Sequence, residues 1–221
     1  MNNMSTRKNL LKKHSNDYTD KVFFWSADPK KYNQEYFCIF SQWYISSEKY
    51  GSAEIKYNKN IIFPYELPFL DKNEEFQILL EKQKFICCEQ WMMALKALLF
   101  ANDEYKEYNL EIFNKIMATD NPKIMKSLGR KIKGFDSMRW LAFGFKIVAN
   151  GNYMKFSQNE NLKKYLLATD DKHIFEASPY DKIWGIGFDP IKAKQVDKSK
   201  YGENLLGKAL MEVRDFLKEK N

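Results

Sequence analysis

Two charged residues interrupt an otherwise apolar run. In FICCEQWMMALKALLFAND, residues 85–103, Glu89 and Lys96 stand seven positions apart. On a helix that spacing puts them on one face, two turns from each other. A charge in such a segment is costly unless it is paired or meets a polar cavity. A carboxylate there could move a proton or stabilise a positive centre, and an amine could pair with it or act as a nucleophile. The same two residues also suit a buried structural ion pair or an exposed helix edge. Periodicity alone does not choose among these readings.

Two further segments carry polar groups in fixed settings. SPYDKIWGIG, residues 178–187, combines one proline and two glycines with an acid, Asp181, and a large aromatic, Trp184. An ordinary connecting loop with a core tryptophan would have the same composition. Leu128-Gly129-Arg130-Lys131 reads as a helix end with adjacent cations, suited to a phosphate or simply to solvent. Arginine is scarce here, at Arg7, Arg130, Arg139 and Arg214 only, in a Lys- and Asn-rich chain. Arginine is the better bidentate partner for phosphate, so Arg130 stands out.

Composition bounds what these groups can belong to. The chain has 221 residues, 44% hydrophobic and 29% charged, enough for one sizeable core. Aromatics reach 16%, which supplies core and, in part, pocket walls. The net charge of +7 comes from a lysine bias, so it argues weakly for nucleic acid, although it would attract phosphorylated ligands. Cys38, Cys87 and Cys88 do not form a disulfide framework, there is no CxxC, and His14 and His173 are far apart, so neither zinc nor another metal is expected. The thiols read as small buried groups in a reducing compartment. The N-terminus lacks an apolar signal core and no stretch approaches a membrane span, so a cytoplasmic location is expected.

Residues 1–20 read as a flexible polar tail, followed by one domain over 21–221. From 21 to 57 the chain is aromatic and interrupted, which suggests short strands with a turn at Asp28-Pro29. IKYNKNIIF suggests a hairpin with its tip at 58–60. A short helix is expected near 74–81, inside an inserted segment of about 61–84. The apolar run around 88–99 reads as a central buried helix. Asn121-Pro122 opens a helix that Gly129 closes. Ser137 caps the next helix, NENLKKYLLATDD forms a shorter one, and ENLLGKALMEVRDFLKEK carries a clean amphipathic stripe. The expected fold is mainly α, a single helical domain with a small N-terminal β element.

Taken in order, CEQWMMALKA, SLGRKIK, MRWLAFGFKIVANGNYMKFSQNENLKKYLLATDD, SPYDKIWGIGFD and NLLGKALMEVRDFL resemble the NADAR (YbiA-like) family. FCIFSQWY resembles that family's entry segment. The resemblance covers about 23–217. It implies a YbiA-like fold and N-glycosidase activity on ribosyl phosphate or ADP-ribosyl substrates. These are either reactive riboflavin-pathway intermediates or guanine ADP-ribosylated in nucleic acid. Carried over, it places the functional acids at Glu89 and Asp181, a lysine at Lys96, an arginine at Arg130, and tryptophans at Trp140 and Trp184. Ser41 and Trp43 fall in the entry segment as further substrate contacts. The family's S-E-H reads Cys88-Glu89-Gln90 here, its S-N-F reads Ser41-Gln42-Trp43, and 61–84 is longer than in the compact bacterial form.

The chemistry implied is cleavage of a ribosyl C–N bond, which develops positive charge at C1′ and the ring oxygen. Paired carboxylates meet that need. Glu89 is expected to serve the ribose or water, and Asp181 the base or orientation. Lys96 either holds Glu89 ionised or traps an opened C1′ aldehyde as a Schiff base. Trp140 and Trp184 would stack on the base, and Arg130, with Lys131, would hold phosphate. No cofactor is expected. A non-catalytic module that binds ADP-ribose or NAD metabolites, and a helical interaction protein with a buried ion pair, are the competing readings. Either a free metabolite or ADP-ribosylated DNA could be the partner.

Overall fold

The computed structural model describes residues 20–31 and 35–220. It is mainly helical. In chain order the elements are β1 (Lys21–Phe24), 3-10 turns at Pro29–Lys31 and Glu35–Phe40, β2 (Ser46–Ser47) and β3 (Gly51–Ser52). Then follow α1 (Pro68–Asp71), α2 (Glu74–Glu81), α3 (Cys88–Leu99), α4 (Lys106–Met117), α5 (Pro122–Gly129), α6 (Ser137–Ser157) and α7 (Glu160–Leu167). Last come β4 (His173–Glu176), α8 (Pro190–Ala193), a 3-10 turn at Lys198–Lys200 and α9 (Leu205–Glu219). No helix among the described residues is long and apolar enough to cross a membrane.

The centre is α3, whose residues are buried except Lys96. Trp91 is sealed from solvent, stacks near Tyr57 and meets Phe85 edge-on, and its indole N–H donates to the Ile147 carbonyl at 2.9 Å. Each large side chain buried this way contributes about 1.5–3 kcal/mol. Helices α4, α5 and α6 pack around α3, and α9 packs on α6 and β4. The three thiols are free and buried, as small apolar groups should be.

Helix ends follow local chemistry. Asn73 and Asn121 accept amide bonds from Phe76 and Lys123 and so start α2 and α5, the latter with Pro122 in its first turn. The expected cap at Ser137 is displaced by one residue: Asp136 caps α6, accepting from the Arg139 amide at 2.6 Å. Helix α3 has no side-chain cap. Its second residue, Glu89, instead donates its amide to the Gln42 carbonyl at 3.0 Å, a cap supplied by a distant loop.

Several expectations are corrected. The aromatic stretch around 35–40 is a 3-10 turn rather than a strand. The turn near 58–60 exists, with the Asn60 amide on Asn58 Oδ1 at 2.8 Å, but no hairpin flanks it. Ile55 instead pairs antiparallel with Phe85, outside any hairpin. Helix α4 was not foreseen. Nor was β4, which pairs in parallel with β1, Lys21 to His173 through Phe24 to Glu176. The tail expected at 1–20 lies, save Asp20, outside the described residues. The 61–84 segment is anchored on α6 through reciprocal bonds between Asn150 and the Tyr65 backbone at 3.2 and 2.7 Å.

Candidate active site

Glu89 occupies the first turn of α3, where a negative side chain suits the helix dipole. Its side chain is buried, and Oε2 accepts the Trp43 indole N–H at 3.2 Å. Burial is the largest influence on its carboxyl and pushes it up to about 7. Lys126, the Trp43 bond and Arg130 pull the other way, while Asp181 adds to the rise. Glu89 is therefore poised to change protonation near neutral pH, which a proton-transfer group requires.

Three cations couple electrostatically to this carboxylate. Lys126 and Arg130 lie four residues apart at the end of α5 and so share one face. Both bias Glu89 toward its ionised form. Lys96, one face of α3 along from Glu89, donates to the Gly129 carbonyl at 3.1 Å, so it forms no simple ion pair with Glu89. Its ammonium lies 4.5 Å from the Phe135 ring centre and 5.3 Å from that of Trp140. Burial, then Arg130, hold Lys96 below the ordinary lysine range, and Glu89 opposes them. Gly129 permits the approach of α5 to α3: a Cβ there would lie 2.1 Å from Met93 Sδ.

The late loop is tied from within. Asp181 Oδ1 accepts the amides of Ile183 and Trp184 at 2.9 and 2.8 Å, which folds the loop over its own acid. Gly185 lets that loop press on β4, since a Cβ would stand 2.7 Å from the Glu176 carbonyl oxygen. Trp184 is half-buried and packs against the main core. Ser41 is buried, and its hydroxyl accepts the Trp43 amide at 3.2 Å, so it shapes the turn that presents Trp43.

The structure thus places Trp43 within hydrogen-bond reach of Glu89, and Lys96, Arg130 and Asp181 within its electrostatic reach, with Trp140 joined through Lys96. Trp184 sits on the core side of the loop and Ser41 beneath Trp43. Gln90, where the resembling pattern has histidine, is structural: its amide accepts from Ile86 N at 2.9 Å and donates to the carbonyls of Ile116 and Thr119. Among the described residues no cluster of histidine, cysteine or acidic side chains has the make-up of a metal site.

Sequence reasoning missed three charged groups that bear on these residues. Lys126 could have been found from its position one turn before Arg130. Glu176, at the end of β4, has Oε2 sealed from solvent and without a hydrogen-bond partner. Lys155 is wholly buried on α6, and its ammonium donates to the carbonyls of Ile39 and Ser41, the latter at 3.0 Å. It lies beside the Tyr44 and Phe156 rings, and burial holds it below the ordinary lysine range.

Lys155 therefore clamps the turn that carries Trp43 to Glu89. Replacing it with methionine removes a costly buried charge but leaves two carbonyls unsatisfied, at about 1–3 kcal/mol each. With the Trp43 bond loosened, Glu89 loses one influence that lowers its pKa, so Lys155→Met is expected to move the acid limb of the pH–rate profile upward. A lowered melting temperature with an unmoved limb would show that Lys155 only holds the fold.

Residues 23–218 match the family described as NADAR domain. The chain is 38% identical over 198 residues to N-glycosidase R617 of Acanthamoeba polyphaga mimivirus, an alignment covering 89% of this chain and 96% of that protein. It is 34% identical over 183 residues to Protein irg-1 of Caenorhabditis elegans, covering 81% and 76% respectively. Its fold is similar to the NMR structure of the E. coli protein YbiA, with a TM-score of 0.57 at 19% identity, over 91% of this chain and 87% of that one.

Proposed function

Because the chain belongs to the NADAR domain family, we propose that it is a hydrolase that cleaves the ribose–base N-glycosidic bond of a phosphorylated nucleoside-like substrate. The observation that carries this reading is Glu89, a buried carboxylate held by the Trp43 indole and acted on by the charges of Lys126 and Arg130. The relative of 38% identity that bears the name N-glycosidase supports it.

The geometry suits the reaction. As the C–N bond lengthens, positive charge grows at C1′ and the ring oxygen, and the ionised form of Glu89 would stabilise it or take the proton of attacking water. Lys126 and Arg130 would hold the phosphate, placing the ribose against Glu89. Trp43 and Trp140 would flank the sugar or base. Asp181, with Oδ1 committed to two amides, orients the late loop. Reactive riboflavin-pathway intermediates and ADP-ribosylated guanine are the substrate candidates.

The test is a panel of pyrimidine ribose phosphates and ADP-ribosylated DNA, with released base read by mass spectrometry. Base release from one class supports the reading and names the substrate. A ligand that raises the melting temperature yet is never consumed would instead mark a binding module.

Arg130→Ala is expected to weaken binding of phosphorylated ligands by roughly tenfold, as loss of one charged hydrogen-bonding partner does. Dephosphorylated analogues should be little affected. An unchanged ratio between the two would remove Arg130 from the phosphate site.

A further inference from the structure

We propose that Glu176 is the general acid that protonates the departing base, with Asp181 serving to orient the loop beside it. The proposal rests on the N-glycosidase reading above.

The backbone of Glu176 is fixed on both sides. Its amide donates to Asn204 Oδ1 at 2.9 Å, and its carbonyl accepts from the Ile186 amide at 2.9 Å. The Gly185 contact already described closes off movement from a third direction. Against this rigid frame, Oε2 is sealed from solvent with no partner. A buried polar atom left without a hydrogen bond is costly, and native structures retain few of them. A ligand nitrogen would supply the missing partner.

The surrounding charges favour the protonated form. Burial, and then the Asp181 carboxylate, push Glu176 up to about 8. Lys126 from α5 opposes this and Glu89 from α3 adds to it. A protonated carboxyl is an O–H donor. Asp181 is held differently: its Oδ1 already accepts the amides of Ile183 and Trp184, which commits that oxygen to the loop.

The step balances. The C1′–N electron pair passes to the base nitrogen, which takes the proton of Glu176. Water forms the new C1′–O bond and loses its proton to Glu89. The products are the free base and the ribosyl hemiacetal, with Glu176 ionised and Glu89 protonated. Exchange with solvent restores both.

Two ribose 5′-phosphates test this with the full chain. One carries a neutral aminopyrimidine, which leaves as an anion unless it is protonated. The other carries a pyridinium base, nicotinamide, which leaves neutral with no proton. Glu176→Gln is expected to lower kcat on the first by on the order of 10²-fold with little change in KM. It should lower kcat on the second far less. It should also abolish the alkaline limb of the pH–rate profile, whereas Asp181→Asn should retain that limb. Unaltered kcat on the neutral base, equal losses on both substrates, or an alkaline limb that survives in Glu176→Gln would each overturn the assignment. If the wild type does not accept the pyridinium substrate, the alkaline limb decides alone. Release of base from neither substrate or any of the panel would instead sink the N-glycosidase reading, and this inference with it.

Discussion

Glu89→Gln is expected to lower kcat by a factor on the order of 10² or more while leaving ligand binding and the fold in place. The amide keeps the size of the carboxyl and can still accept the Trp43 indole bond, so packing is unchanged. It cannot become an anion or take a proton. In the wild type, activity should rise as the pH climbs through about 7, where Glu89 ionises, and this acid limb should vanish in the variant. Stability gives an independent check. The folded-state pKa of Glu89 is raised, so between the ordinary glutamate value and about 7 the folded chain holds more protons than the unfolded one. Burying this carboxyl therefore costs stability progressively as pH rises through that window. At pH 8 the variant should melt no lower than the wild type. Turnover near the wild-type rate would remove Glu89 from the chemistry.

The second large effect concerns Lys96. Its ammonium rests against two aromatic rings and the Gly129 carbonyl, contacts that favour charge, while burial and Arg130 favour the neutral amine. The balance falls below the ordinary lysine range, so a larger share is neutral and nucleophilic than for a surface lysine. Lys96→Met is expected to lower kcat by about 10² or more, as loss of a nucleophile or general acid–base group does. Borohydride added during turnover separates the two routes. If an opened ribose is trapped at C1′, reduction leaves a permanent mass increase on the peptide containing Lys96. If Lys96 acts only by charge, no adduct forms and Lys96→Arg keeps substantial activity.

The elements legible in the sequence were those whose limits are set locally. Helix 122–129 could be read from Asn121 and Pro122, because a cap is a contact within one turn. Glu89 and Lys96 stood out because charge inside an apolar run needs a reason. What was missed depends on distant partners. The segment before Ser41 looks strand-like in composition, yet its carbonyls turn toward Lys155 on α6. Ile55 pairs with Phe85 rather than across its own turn. Helix α4 buries Asn109, whose amide bonds the carbonyls of Phe100 and Lys133, so a polar residue sits where periodicity looks for an apolar one. Glu176 gave no signal because what sets it apart is its surroundings, and those neighbours come from α3, α5 and the late loop.

The parallel pairing of β1 with β4 has a consequence for how the chain acquires its structure. It joins residues 21–24 to residues 173–176, contacts between segments far apart in the sequence. Such contacts require the largest loops to close and form slowly. During synthesis the helical centre can collapse as it emerges, but β1 must wait for a strand made much later, and β4 is further supported by α9, later still. The strand that ends in Glu176 is thus expected to be among the last parts seated. A nascent or partly opened chain can hold a packed core around α3 while Glu176 is still out of place.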